Sequence, residues 1–180
     1  MTLEIAFCSL TDPRRKQGQR TSLTNTLIMI VVSKACGNHT YRKMAEFCRA
    51  HQQLFTVELN LKHPTPSHVS IRDVLVRIDQ DELIAAFNKW AETFVELEDG
   101  DAVSGDGKGL CSTVTNAHNA EQDFQSIVSF FCHKKGMTKL IETYKNKKKS
   151  EIYIAENMIK ALKDKELTLV FDALHIQKKP

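Results

Sequence analysis

With 180 residues, 42% of them hydrophobic and 26% charged, the chain has the make-up of a soluble globular protein holding one ordinary domain or two small ones. The longest apolar run, "LIMIVV", is too short to span a bilayer, and "MTLEIAFCSLTDPRRKQGQR" lacks the basic start and small-residue cleavage pattern of a secretory signal. A net charge of +3 is too small to make the whole chain a nucleic-acid binder, and the five cysteines, an odd count with none in a C-x-x-C spacing, point to a reducing setting.

A cytoplasmic protein with free thiols is therefore expected, the cysteines acting as small buried hydrophobes. Cys132 beside His133 is not read as a metal pair, because neighbours on a strand point to opposite faces.

Up to about Leu97 the pattern is helical. In "TSLTNTLIMIVVSKACG" the residues Leu23, Leu27, Ile30 and Val31 recur at helical spacing, with Thr21 or Ser22 as cap and Gly37 as stop. A second helix starts at Thr40 and buries Met44, Phe47 and Cys48. The prolines of "KHPTPSH" then break the pattern, and Ser67 caps a helix whose stripe is Ile71, Val74, Leu75 and Ile78, with Arg72, Asp73 and Arg77 outside. Asp79, with Glu82 three residues on, resembles a capping box for a further helix burying Leu83, Phe87, Trp90 and Phe94.

Past Asp99-Gly100, a turn signal, the period changes. "DAVSGD" is a short strand candidate, "DFQSIVSFFCH" is rich in strand formers, and "HKKG" reads as a hairpin turn into "MTKLIETYK". Next, "SEIYIAENMIKALKD" sets Ile152, Ala155, Ile159 and Leu162 on one helix face behind a Ser150 cap. The run "LTLVFD" follows as a strand buried on both faces. A helix between two strands usually returns the second parallel to an earlier one, so Asp106 and Asp172 are expected at the carboxyl ends of neighbouring strands.

Each of these aspartates ends an apolar strand. Two carboxylates facing one another at a core edge repel, and a hard divalent cation with oxygen ligands, Mg²⁺ or Mn²⁺, resolves both the repulsion and the burial cost. The simpler alternative is that both residues satisfy turn amides. Lysine runs load the C-terminal portion. Lys108, Lys178 and Lys179 either steady phosphates near such a site or stand solvated at strand ends. In the N-terminal part Arg14, Arg15, Lys16 and Arg20 form a basic segment that either contacts DNA phosphates or is ordinary surface.

The stretches "DPRRKQGQR", "ACGNHTYRKMAEFCRAH", "PTPSHVSIRDVLVRID" and "AAFNKW", followed by "DGKGL", "KKSEI" and "DALHIQKK", stand in an order that resembles the bacterial insertion-sequence transposases of the H-repeat-associated group. This is a DDE family with a ribonuclease-H-like catalytic core. The resemblance implies an α+β chain: a helical domain over residues 1–98, then over 99–180 the first half (βββαβ) of a ribonuclease-H-like mixed-sheet core. It carries the family's first and second catalytic aspartates onto Asp106 and Asp172, which would hold Mg²⁺ or Mn²⁺ in a two-metal arrangement. His175, Gln177 and Lys178 match the second motif, whereas Cys111 or a neighbour stands where the family commonly has arginine.

The partners implied are DNA, both transposon ends and target, and other transposase chains, with no membrane and no small-molecule substrate. The protein would be associated with the nucleoid when bound. The family's third acid, a glutamate on a later helix, has no counterpart, so a C-terminally truncated, inactive and poorly soluble fragment is expected. Two rivals stand beside this reading: a non-catalytic DNA-binding or transposase-inhibiting module, and a helical interaction protein unrelated to DNA.

Overall fold

The computed structural model describes residues 2–110, 113, 124–145, 151–162 and 165–171. The chain divides into two compact units, Met1–Trp90 and Ala91–Pro180. The first is helical and the second carries a mixed four-stranded sheet with a helix, so the fold is α+β.

In the first unit, α1 (Leu3–Phe7) begins at Thr2, whose hydroxyl accepts from the Ile5 amide, and buries Ala6 and Phe7. A 3₁₀ turn follows at Lys16–Gly18. Helix α2 (Leu23–Ala35) is capped by Ser22, which accepts from the Asn25 amide at 3.1 Å. It ends in a Schellman arrangement: Gly37, at φ +83°, donates to the Lys34 carbonyl and Asn38 donates to that of Ser33.

Leu23, Leu27 and Ile30 of α2 join one cluster with Phe7, Met44, Ala45, Ile71 and Val74, while Met29 joins a second with Cys48 and Phe55. Two buried faces explain why α2 reads as nearly apolar all round. Val31 lies on neither and is 40% exposed, against the expected stripe.

Helix α3 (Tyr41–Ala50) starts at Thr40, whose hydroxyl accepts from the Lys43 amide; Met44, Ala45 and Cys48 are buried and Phe47 is half-buried. Burial raises the Cys48 thiol pKa to about 11. A short helix not foreseen from the sequence, α4 (Gln52–Glu58), buries Phe55. Asn60, at φ +48°, lets the chain turn out of it while the Leu61 amide donates to the Thr56 carbonyl.

Helix α5 (His68–Arg77) is capped by Ser67, as expected. It buries Ile71 and Val74 and packs Leu75 and Ile78 half-buried against the same cluster. Its Arg77 pairs with Asp73 one turn back at 3.1 Å and also donates to the Pro13 carbonyl.

Helix α6 (Gln80–Glu92) forms only half of the expected capping box. Asp79 accepts from the Glu82 amide at 2.9 Å. The Glu82 carboxylate turns instead to Thr11, accepting from its amide at 2.8 Å and its hydroxyl at 3.0 Å, and so ties the N-terminal loop to α6. Leu83, Phe87 and Trp90 are half-buried. Phe94 lies past the helix end, where its periodicity no longer governs direction, and is 49% exposed.

In the second unit, β1 (Ala102–Gly109), β2 (Gln125–Cys132) and β3 (Met137–Lys145) form an antiparallel meander. The β2–β3 turn is the expected "HKKG", with Gly136 at φ +65°. Helix α7 (Glu151–Ala161) then leads to β4 (Thr168–Phe171), which pairs parallel to β1, giving the strand order β3-β2-β1-β4.

The core gathers Val95, Leu97, Val103, Val128, Phe130 and Cys132 under Ile154 and Met158 of α7. The helix therefore turns Ile154, Ala155 and Met158 inward, with Ile159 and Leu162 only flanking them. Its expected cap, Ser150, lies outside the described residues. Strand β4 is not buried on both faces. It alternates, with Val170 50% exposed and Leu169 and Phe171 packed on the core side.

Among the described cysteines, all free, Cys48 and Cys132 are buried as expected but Cys8 and Cys36 are exposed. Among the described residues no helix is long and apolar enough to cross a membrane.

Candidate functional site

Strand β1 continues past Asp106 to Gly109, held by β2 through the pairs Asp106↔Ser129 and Gly109↔Ser126. The sequence suggested that Asp106 ends its strand at a core edge. It stands instead inside the strand, and it is exposed. Alternation explains this: Val103 and Gly105 face the core beneath α7, while Ser104, Asp106 and Lys108 share the opposite face. Among the described residues the Asp106 side chain accepts no hydrogen bond and forms no ion pair.

Against β4 the picture differs. Among the described residues the parallel ladder runs from Ala102↔Thr168 to Gly105↔Phe171, and each residue of that last pair is followed in sequence by an aspartate, Gly105 by Asp106 and Phe171 by Asp172. The expectation that β1 and β4 are parallel neighbours therefore holds. Asp172, His175, Gln177, Lys178 and Lys179 lie outside the described residues, as does Cys111. Among the described residues no group of three or more histidines, cysteines or acids is gathered to hold a metal ion. An exposed carboxylate that no described residue engages, flanked by Gly105 and Gly107, nonetheless suits a hard cation that retains water: it offers oxygen and leaves room.

The ladder is fastened at its start by residues that carried no motif in the sequence. Asp101 is buried; one of its carboxylate oxygens accepts from the Glu98 amide at 2.9 Å and the other lies 3.7 Å from the Lys134 ammonium. Lys134 also bonds Glu98 at 2.6 Å. That hydrogen bond, reinforced by charge, holds the Glu98 carboxyl below its ordinary range and raises the Lys134 pKa. Asp99 accepts from the Glu166 amide at 3.0 Å, the Gly100 amide donates to the Glu166 carbonyl at 2.6 Å, and the Thr168 amide donates to the Asp101 carbonyl at 2.9 Å. The acidic run before β1 thus clamps the entry of β4 to that of β1. The only sequence signal was the Asp99-Gly100 turn.

In the helical unit the basic segment separates into two kinds of residue. Arg14 has a side chain only 4% exposed, and each of its three guanidinium nitrogens donates a hydrogen bond. Nε and Nη2 donate to the two Asp12 oxygens at 2.9 and 2.7 Å, Nη1 to the Gly18 carbonyl at 3.2 Å and Nη2 again to the Thr21 carbonyl at 2.9 Å. Partial burial pushes the Asp12 carboxyl up, but the hydrogen bonds from Arg14 and its charge, with that of Arg77, outweigh burial and leave it lowered. Arg14 is therefore committed to the loop. The spacing Asp12-x-Arg14 was the available hint.

Arg15, Lys16 and Arg20 are exposed. Arg20 and Arg14 both line a cleft of about 380 Å³ with Gln17, Thr21, His63 and the Ser67 end of α5.

Residues 5–91 match the model of the DDE_Tnp_1-associated family, a span just under half of the chain that nearly coincides with the helical unit. The helical unit is thus similar to a domain associated with DDE transposases. No curated protein matches it in sequence.

Proposed function

We propose that the protein belongs to the machinery of DNA transposition. Its sheet unit would provide the first half of a ribonuclease-H-like core that cleaves and joins phosphodiesters, and its helical unit would contact DNA. The observation that carries the catalytic part is the β1–β4 ladder, whose last described pair precedes Asp106 and Asp172. In parallel strands the register continued by one residue would bring the two carboxylates side by side, where they would hold Mg²⁺ or Mn²⁺. Such a cation stabilises the attacking and leaving oxygens of an in-line displacement, and a two-metal site sets its ions roughly 3.5–4 Å apart.

Lys108, on the Asp106 face of β1, and Lys178 and Lys179, beyond Asp172, would meet substrate phosphates as point charges. The substrates are the transposon ends and the target DNA. In the helical unit the exposed Arg15, Lys16 and Arg20 would bind the backbone without regard to sequence. Arg14 is left out of this role because its side chain is buried and its guanidinium nitrogens already donate within the loop.

A second reading is favoured by the family match, which is confined to the helical unit. On that reading the chain is a DNA-binding module that acts on other transposase chains, with no cleavage of its own.

The two separate in one assay. The full chain is incubated with supercoiled plasmid and Mn²⁺ or Mg²⁺. The catalytic reading, against the inactive fragment expected from the sequence, requires metal-dependent nicking that disappears in Asp106→Asn and in Asp172→Asn. Salt-dependent duplex binding without nicking would leave only the second reading standing.

A further inference from the structure

Helices α2 and α3 are joined only by residues 36–40. The chain turns there at Gly37, whose φ of +83° ends α2, and Thr40 caps α3 by accepting from the Lys43 amide at 3.3 Å. Met44 and Ala45 of α3 are buried in one cluster with Leu27 and Ile30 of α2 and with Ile71 and Val74 of α5. Two helices joined by a short turn containing glycine, the second packed on the first and on a third, are the parts of a helix-turn-helix.

The outward face of α3 carries the charge. At 3.6 residues per turn Arg42, Lys43, Glu46, Arg49 and Ala50 fall on one arc opposite Met44, Ala45 and Cys48, and all of them are exposed. Three cations stand on that arc with one acid, so the face is net positive. Glu46 is four residues from Arg42 and three from Arg49, spacings at which side chains pair on a helix. Among the described residues, however, none of these charged side chains forms an ion pair or a hydrogen bond. Arg14 and Arg77, by contrast, are engaged by Asp12 and Asp73. A positive helix face with unengaged donors, and with the small Ala50 between them and the helix end, suits a polyanion whose base edges can be reached.

We propose that α3 is a recognition helix that enters the major groove of duplex DNA and reads base edges. Arg42 and Arg49 donate in pairs to guanine O6 and N7, Glu46 accepts from a cytosine amine, and Lys43 meets a phosphate. The helix has 10 residues, and Arg42 and Arg49 stand about 10 Å apart along its axis, so they reach different base pairs. This rests on the DNA-binding role proposed above for the helical unit and adds sequence readout to it. Arg15, Lys16 and Arg20 hold the backbone, and α3 chooses the site.

The test is selection by the full chain from duplexes with a random-sequence core, followed by fluorescence anisotropy on the enriched duplex and on the unselected pool. Wild type should enrich a short motif and bind it more tightly than the pool. Arg42→Ala and Arg49→Ala should each lower the ratio of the two affinities roughly 5- to 150-fold, the worth of one bidentate base contact. When selection is repeated, each should relax the preference at a different position of the motif. Both residues are exposed, so the far-UV circular dichroism of either variant should match wild type. The triple variant Arg15→Gln/Lys16→Gln/Arg20→Gln should weaken binding to motif and pool alike and leave their ratio in place.

A motif recovered unchanged from Arg42→Ala and Arg49→Ala would put the readout elsewhere and overturn the role of α3. Salt-dependent binding to the pool with no enriched motif would overturn it too, while leaving backbone binding by the helical unit standing. Absence of binding to any duplex would remove the DNA-binding reading itself, and the recognition helix with it.

Discussion

Replacing Arg14 by methionine separates a structural arginine from a DNA-binding one. Methionine keeps much of the aliphatic stem but removes every guanidinium bond: two to Asp12, one to the Gly18 carbonyl and one to the Thr21 carbonyl. Thr21 is buried, so the loss of the donor to its carbonyl should cost about 1–3 kcal/mol. Asp12, with a side chain 21% exposed, recovers part of its hydration, so its loss falls well short of that for a fully buried pair. The sum is a destabilisation of about 2–4 kcal/mol, and with a urea slope of about 1–3 kcal/mol/M the midpoint should fall by roughly 1–3 M.

The assay is urea unfolding followed by the fluorescence of Trp90, the single tryptophan, which sits in the helical unit. The pH dependence supplies a second check. Asp12 is held below its ordinary value in the folded state, so its contribution is present above the unfolded carboxylate range and is lost as pH falls through the lowered folded value. Arg14→Met should remove that acid-side loss. A midpoint within error of wild type, or an unchanged acid limb, would refute the assignment of Arg14 to the loop.

The exposed neighbours should behave oppositely: the triple variant Arg15→Gln/Lys16→Gln/Arg20→Gln should unfold within about 0.5 kcal/mol of wild type. Its duplex-binding salt slope, measured by fluorescence anisotropy, should fall by roughly 0.9 for each phosphate no longer neutralised. Ser33→Ala should stabilise the helical unit by about 1 kcal/mol in the same Trp90 assay, because the Ser33 hydroxyl is buried and finds no partner among the described residues. Asp101→Ala should cost about 1–3 kcal/mol by circular-dichroism-monitored urea unfolding, since the Glu98 amide loses its acceptor and Lys134 a neighbouring charge. Gly136→Ala, at φ +65° in the hairpin turn, should cost about 1 kcal/mol in the same measurement.

Local rules carried far along this chain. Ser22, Thr40, Ser67 and Asp79 cap the helices that the hydroxyl and carboxylate positions announced, because a cap depends only on the chain within three residues of it. Gly37 and Gly136 turn the chain where a positive φ is needed. The parallel return of β4 onto β1 followed from a helix lying between two strands.

What the tertiary structure decided was the partner and face of each side chain. The sequence contains Glu82 three residues after Asp79, but only folding brings Thr11 within reach to draw Glu82 away from the cap. Arg14 and Arg20 are both arginines in one basic segment, yet the first is buried and held by Asp12 and two carbonyls while the second is exposed. Val31, Phe94 and Val170 are as apolar as their buried neighbours and are exposed because packing, not hydrophobicity, chooses which face of an element is covered. Gly105 reads in the sequence as one more small residue before an aspartate. Its meaning lies in Phe171, distant in the chain, whose ring fills the space beside it: steric exclusion between remote residues leaves no local pattern to read.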